Sequence, residues 1–306
     1  MKISRRLFAA TTFAGVSAFQ RTAFGALSLR QSANPVCVFT KPLQSLPWED
    51  LAQRMAALGV AGIEAPVRAG GHIEPVDAVQ RLPEFVGALK KFGQHITVMT
   101  SDINDANDPL TEPILRTAAG LGIRFYRMKY FKYDESKPIL SQISNWTAAL
   151  KDLAAINKQL GITAVYQNHA GRNYFGAALW DLHRALEQID PAGIGVAYDI
   201  RHATAEAGMS WPVTFRLLQP HVRVVYVKDF VWSGQKPDNV PLGQGSVSPS
   251  FFQMLADSQF DGPISLHEEY LDHRRPELVP EHLAAIERDL NTLRKWMTGA
   301  GGTKKQ

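Results

Sequence analysis

With one cysteine in 306 residues, the chain cannot close an internal disulfide, so its order has to come from a packed core. That residue, Cys37, stands between Val36 and Val38 and reads as a small buried hydrophobe of a first strand. No G-x-G-x-x-G loop follows any strand candidate, which argues against a doubly wound dinucleotide-binding sheet. Internal repeats and low-complexity linkers are missing too, so a single domain is expected. The one apolar stretch near the N-terminus ends at about Phe19 and is broken by Thr11, Thr12, Ser17 and Gln20. It is shorter than the ~20 residues a bilayer needs, so no stable membrane anchor is expected. What the chain does have is 45% hydrophobic residues, enough for a sizeable core and inconsistent with a disordered or collagen-like protein.

The first residues, Met1-Lys2-Ile3-Ser4-Arg5-Arg6-Leu7-Phe8, place an arginine pair before that apolar stretch, with small residues at Ala23 to Ala26. Residues 1–25 therefore read as a cleaved Tat signal peptide, with the Tat export machinery as a partner and a soluble, periplasmic or otherwise exported product. The formal net charge is +4, but Lys2, Arg5, Arg6 and Arg21 all lie in this segment, which has no acidic residue. Without it the basic and acidic counts balance, and a nucleic-acid partner is not supported. Residues 34–298 are expected to form the folded domain and residues 299–306 a disordered tail. Association into a homo-oligomer stays open.

From Pro35 onward, short β-branched runs alternate with longer segments of helical period, punctuated by Gly, Pro and Asp. The strand candidates are Pro35 to Phe39, Gly62 to Ala65, His95 to Met99, Phe125 to Lys129, Thr163 to Gln167, Ile194 to Asp199, Val222 to Lys228 and Pro263 to His267. Among the helices, Trp48 to Leu58 follows Pro47, Trp146 to Leu160 follows the cap candidates Ser144 and Asn145, and about Pro280 to Trp296 closes the series. Successive βα units over about 260 residues predict an α/β protein, a (β/α)8 TIM barrel.

Such a barrel keeps its chemistry at the C-terminal ends of its strands, so the polar residues found there are the candidates. Strand two offers Glu64, followed by Arg68 and His72 around Gly70 and Gly71. Strand four offers Arg127 and Lys129, which period two places on one face, suited to an anionic or strongly polar ligand or to pairing with Glu64 or Asp199. Strand five ends in Gln167-Asn168-His169, and strand six in Asp199-Ile200-Arg201-His202, an Asp-x-x-His spacing that can serve one divalent metal. Strand seven ends in Tyr226-Val227-Lys228. On strand eight, His267 and Glu269 share a face, with Glu268 on the other. Carboxylates, imidazoles and a lysine around one cavity suit proton abstraction next to a carbonyl.

Taken in order, Gly62-Ile63-Glu64, Tyr166-Gln167-Asn168-His169, Gly195 to Ala203, Val227-Lys228-Asp229-Phe230, Leu242-Gly243-Gln244-Gly245 and Gly262 to Tyr270 resemble the xylose isomerase-like TIM barrel superfamily. The resemblance covers essentially the whole chain after the signal. It implies a sugar or keto-sugar isomerase or epimerase, with a sugar or sugar derivative as substrate. A keto-glycoside or inosose-type lyase or dehydratase is the alternative, as is a non-catalytic periplasmic sugar-binding barrel that has lost its metal. The superfamily's endonuclease branch uses a multi-zinc cluster with more His and Glu ligands than this chain offers. The resemblance also implies a divalent metal (Mn, Mg or Zn) on a Glu after strand five, an Asp after strand six, a His after strand seven and a Glu after strand eight. Only Asp199 matches directly; Gln167 and Tyr226 stand at the first and third positions, and His267 or Glu269 at the fourth. The expected assignments are Glu269, His267, Lys228 and Glu64 as catalytic groups. Arg68, His72, Arg127, Lys129, His169 and Tyr226 are expected to bind substrate, and Asp199, His202, Gln167 and Glu269 to hold the metal.

Overall fold

The structure, a computed structural model, describes residues 34–299. The expected signal segment and nearly all of the expected tail lie outside the described residues. Eight parallel strands close into a barrel: β1 (Val36–Phe39), β2 (Gly62–Val67), β3 (Ile96–Ser101), β4 (Phe125–Arg127), β5 (Thr163–Gln167), β6 (Ile194–Asp199), β7 (Val222–Val227) and, returning to β1, β10 (Ile264–Leu266). The helices α1 (Trp48–Ala57), α2 (Ala78–Lys90), α3 (Thr111–Gly120), α4 (Ile139–Leu160), α5 (Trp180–Leu186), α6 (Ile200–Ala207), α7 (Trp211–Leu218), α8 (Ser250–Asp257) and α9 (Val279–Met297) carry the chain from strand to strand. An antiparallel hairpin, β8 (Asp229–Ser233) and β9 (Lys236–Val240), follows β7 directly.

The expected (β/α)8 architecture is therefore observed. Two details differ. Helix α4 begins after Pro138, not at Trp146, because the residues between carry no breaker and Ile143 already packs inward. The hairpin was not anticipated, since Lys-Pro-Asp-Asn lacks the β-branched alternation that marks a strand.

Period two sorts each strand into an outward side chain packed under helices and an inward one filling the barrel. Val98, Val165, Ala197, Val224 and Tyr226 form an apolar interior layer, with Phe125 packed against it. Two residues further along the same strands come Thr100, Arg127, Gln167, Asp199 and Lys228. One alternation thus gives an apolar floor and a polar storey above it at the C-terminal end. A register shift between Ile63 and Glu64 falls at this transition. There Gly62 lets β3 approach: a Cβ would meet Thr97 Oγ1 at 2.4 Å and the His95 carbonyl oxygen at 2.6 Å. Such irregularities re-aim the next side chain.

Candidate active site

Glu64 is fully buried and accepts hydrogen bonds from Thr100 Oγ1 at 2.6 Å, Ser265 Oγ at 2.7 Å and His267 Nε2 at 2.9 Å. Burial pushes its carboxyl up, but His267, Arg127 (Nε at 3.9 Å) and Thr100 outweigh that and bring it down to about 2. An ionised carboxylate only accepts, so His267 presents Nε2–H to it and, when neutral, keeps its lone pair on Nδ1. Nδ1 lies 4.0 Å from Glu269 Oε2. The ring is clamped between Phe39 and Tyr226, with centroids at 4.6 and 4.4 Å. Glu64 makes no ion pair with Arg68 within salt-bridge distance; its partners come from neighbouring β3 (Thr100), from β4 (Arg127) and from the end of β10 (Ser265 and His267).

Asp199 holds a second cluster. As N-cap of α6 it accepts the His202 backbone N–H at Oδ1, 3.1 Å away, while Oδ2 accepts Gln167 Nε2 at 2.7 Å. Asn168 pins the same turn, accepting the Asp199 N–H at 2.8 Å and donating to its carbonyl at 3.1 Å. The Asp-x-x-His spacing is thus first a helix cap. Gln167 Oε1 is taken by Arg127 Nη1 at 2.9 Å and by the Tyr130 hydroxyl, which fixes the amide with its NH2 toward Asp199.

Lys228 links the two clusters. Its side chain is 6% exposed, with Nζ 2.6 Å from Glu269 Oε2 and 3.6 Å from Asp199 Oδ2. Burial lowers its pKa, but Glu269 and Asp199 more than offset this, and the ammonium is retained. For Glu269, burial acts upward, yet Lys228, His267 and Lys41 hold its carboxyl well below the ordinary range. Glu268, on the opposite face as expected, accepts from the Tyr270 and Leu271 N–H groups and pairs with His282 of α9.

Above this floor opens a cavity of about 640 Å³ lined by His169, Arg201, His202, Lys228, Trp232 and Glu269, among others. The hairpin forms one wall. Arg201 ties it down through the Pro237 carbonyl at 2.6 Å and Asn239 Oδ1 at 3.1 Å, and Asn239 donates to the Glu269 carbonyl at 3.2 Å. His169 is driven down to about 4, by burial first and then by the Lys228 charge, so it is neutral near pH 7. His202 lies well below its ordinary value for the same two reasons, in that order.

Several expected positions fall elsewhere. Lys129 does not share a face with Arg127: β4 ends at Arg127, the alternation lapses, and Lys129 is exposed beside Asp102 and Asp105 in a separate cavity of about 180 Å³. Tyr130, which strict alternation would turn away from Arg127, instead turns inward, its hydroxyl bonded to Arg127 and Gln167. Arg127 is buried in the polar storey and pairs with Glu64, not with a ligand at the mouth. Tyr226 is fully buried in the interior layer beneath His267, and its hydroxyl has no hydrogen-bond partner. His72 is buried against Phe85 and bonded to Thr40 Oγ1 at 2.9 Å, away from the cavity. Arg68 is half-buried over the Phe39 ring. Sequence reasoning missed Lys41, Thr100, Tyr130, Arg201, Trp232 and Asn239. Lys41 could have been found as the first cation after β1, whereas Arg201 and Asn239 meet only through the hairpin.

The donor set does not suit a divalent metal. Among the described residues, no group of three or more His, Cys, Asp or Glu is arranged to hold one. Gln167 turns amide hydrogens, not its oxygen, toward Asp199. His202 Nδ1 lies 3.0 Å from Arg201 Nη1, which can only donate, so its Nε2, 3.6 Å from Asp199 Oδ2, carries the proton. Of the expected ligands, Gln167 and His202 therefore turn hydrogens into the site, and the oxygens of Asp199 and Glu269 that a metal would need already accept from Gln167, the His202 backbone and the Lys228 ammonium.

The family model for the xylose isomerase-like TIM barrel matches residues 52–296. Among solved structures, the chain is similar to D-psicose 3-epimerase with D-tagatose from Clostridium cellulolyticum H10, at 12% identity and a TM-score of 0.67, over 86% of this chain and 99% of that one. It is also similar to 3-keto-D-glucoside 4-epimerase from E. coli, at 12% identity and a TM-score of 0.65 over 84% and 99% of the two chains. A third is a probable 3-DHS dehydratase from Bacillus anthracis, at 13% identity and a TM-score of 0.65 over 85% and 98%. No curated protein matches the chain in sequence. With the closed parallel barrel and a family match over most of its length, this chain belongs to the xylose isomerase-like TIM barrel family.

Proposed function

We propose that this protein is a sugar or keto-sugar isomerase or epimerase that moves a proton on a carbon next to a carbonyl. The observation that carries the reading is the convergence of Lys228 and Glu269, which line the cavity, with His267 buried directly behind Glu269, each within 4.0 Å of the next. Abstraction of that proton needs a base, a cation for the enediolate oxygen and a donor for the return. His267 has the oriented lone pair: Glu64 holds its Nε2–H, so Nδ1 is the accepting nitrogen, and the buried carboxylate steadies the imidazolium that forms. Lys228 places an ammonium where negative charge develops. Glu269, held ionised by Lys228, is a weak base in that pair and serves as the proton's second station once a ligand oxygen competes for the lysine. Arg201, His169 and Trp232 line the walls that would orient a polyol.

A β-elimination shares the first of these steps, and the similarity to a dehydratase keeps a lyase as the second reading. Residues 1–25 are proposed to direct Tat-dependent export, which would place this chemistry in the periplasm.

The test is solvent exchange. Purified protein is incubated in D2O with a panel of ketoses, aldoses and keto-glycosides, and deuterium entry beside the carbonyl is followed by NMR. His267→Gln and Glu269→Gln are each expected to reduce exchange about 100-fold or more while circular dichroism stays unchanged. Undiminished exchange in a folded His267→Gln variant would remove the imidazole from the mechanism.

A further inference from the structure

We propose that Lys228 is the site's own cation, its ammonium filling the point between the Asp199 and Glu269 carboxylates that a divalent ion would have to occupy to use them. The inference concerns the same site as the isomerase reading. Nζ lies 2.6 Å from Glu269 Oε2 and 3.6 Å from Asp199 Oδ2, in a side chain that is nearly all buried. Each Asp199 oxygen also accepts from the protein itself: Gln167 donates to Oδ2 at 2.7 Å and the His202 backbone N–H to Oδ1 at 3.1 Å. The charges also balance without a metal. Two carboxylates, Asp199 and Glu269, face Lys228 and, at the rim, Lys41, whose Nζ is 3.8 Å from Glu269 Oε1.

A metal could enter only by expelling Lys228 and turning the Gln167 amide, whose oxygen is already held by Arg127 and Tyr130. Both moves break buried charged or charge-assisted contacts. A lysine ammonium also has a use that the ion pair does not exhaust. It carries three hydrogens; one is committed to Glu269 Oε2 at 2.6 Å, while Asp199 Oδ2 at 3.6 Å is an ion-pair partner beyond hydrogen-bond reach, which leaves hydrogens for a ligand oxygen in the cavity. Such a cation is always loaded, needs no metal from the surroundings and stays in place in the presence of chelators.

The substitution that tests this is Lys228→Ala. It leaves Asp199 and Glu269 at the vacated position, with the Nδ1 lone pair of His267 4.0 Å from Glu269 Oε2, three groups of the kind that bind transition metals. Wild-type protein, purified without chelator, is analysed for metal by plasma mass spectrometry and titrated calorimetrically with MnCl2 and ZnCl2. Its melting temperature is recorded with and without EDTA. We expect well below one equivalent of metal per chain, no saturable binding and an unchanged melting temperature. The Lys228→Ala variant should melt lower than wild type and recover with Mn2+ or Zn2+, while Lys228→Arg should stay metal-indifferent. Stoichiometric metal in the wild type, or saturable binding in calorimetry, would overturn the proposal, and that result is read even where the alanine variant yields no soluble protein. An alanine variant that neither loses stability nor responds to metal would also overturn it. No sugar enters these measurements, so their failure leaves the proton-transfer reading standing, and failure of the exchange test leaves this one.

Discussion

His72 shows how far a residue's chemistry depends on where its neighbours put it. In the sequence it looked like a ligand contact beside Gly70 and Gly71. In the fold it is buried between Thr40 and Phe85, with Nδ1 unpaired, and burial lowers its pKa to about 4, the Thr40 contact offsetting only part of this. The folded state thus holds the neutral ring while the unfolded chain takes up a proton near pH 6.5. Stability from this residue is present above pH 6.5 and is lost as pH falls toward 4, on the order of 3 kcal/mol in total. Glu64 has the same sign in a lower window: its depressed carboxyl stabilises the fold above its unfolded value and gives that up as pH drops toward about 2. Urea unfolding of wild type and His72→Gln across pH 7 to 4 checks the first part. The variant should show the shallower fall, and parallel curves would assign the pH dependence elsewhere. At this scale the sequence was legible where alternation persisted to the strand end, as for Glu64 and Asp199, and where the chain kept it up just past the end, as for Lys228 after β7 and the His267–Glu269 pair after β10. It misled where a strand stopped early, as at Lys129 and Tyr130, because periodicity says nothing past the last ladder bond.

At the scale of elements, the hairpin after β7 decides the shape of the cavity, and one buried carboxylate holds its root. Asp229 accepts backbone hydrogens from Phe230 at 2.9 Å, Gly243 at 3.0 Å, Gly245 at 2.9 Å and Val247 at 2.9 Å. The glycine at 245 is required by this closeness, since a Cβ there would lie 2.3 Å from Asp229 Oδ1. The recurrence of Lys-Asp and Leu-Gly-Gln-Gly in one chain, read at first only as a resemblance, is therefore one hydrogen-bonded unit. Asp229→Ala strands four N–H groups, three of them across the loop, and should cost about 3 kcal/mol of stability. Its local signature is the informative one: hydrogen exchange should quicken in residues 229–247 while β2 to β5 stay protected. Uniform loss of protection would instead make Asp229 a support of the whole barrel. Trp232, 52% exposed on the same hairpin, would lose its fixed position over the cavity in that variant. The hairpin itself was not legible in the sequence, because β9 owes its existence to pairing with β8 and not to its own residues.

The whole molecule was the most legible level, since eight strand–helix alternations constrain topology more strongly than any one residue constrains chemistry. The site was less so because it is assembled from contacts such as Glu64 to His267, which join β2 to a residue 203 positions later. That long-range closure bears on the proposed export. The barrel closes only when β10 pairs with β1 and β7, so a chain still lacking its last strand would leave two strand edges unpaired, and its single thiol offers no disulfide to trap a fold formed after passage. Export in the folded state, which the Arg5-Arg6 pair is proposed to direct, avoids both difficulties. Arg5→Lys with Arg6→Lys keeps the charge of the segment but removes the pair. In cells fractionated after expression, this double variant should accumulate inside as a full-length, folded protein while wild type appears outside, shortened by about 25 residues. Unchanged export and processing of the double variant would show that the segment is read by its hydrophobic stretch instead, and that the barrel closes after it has crossed.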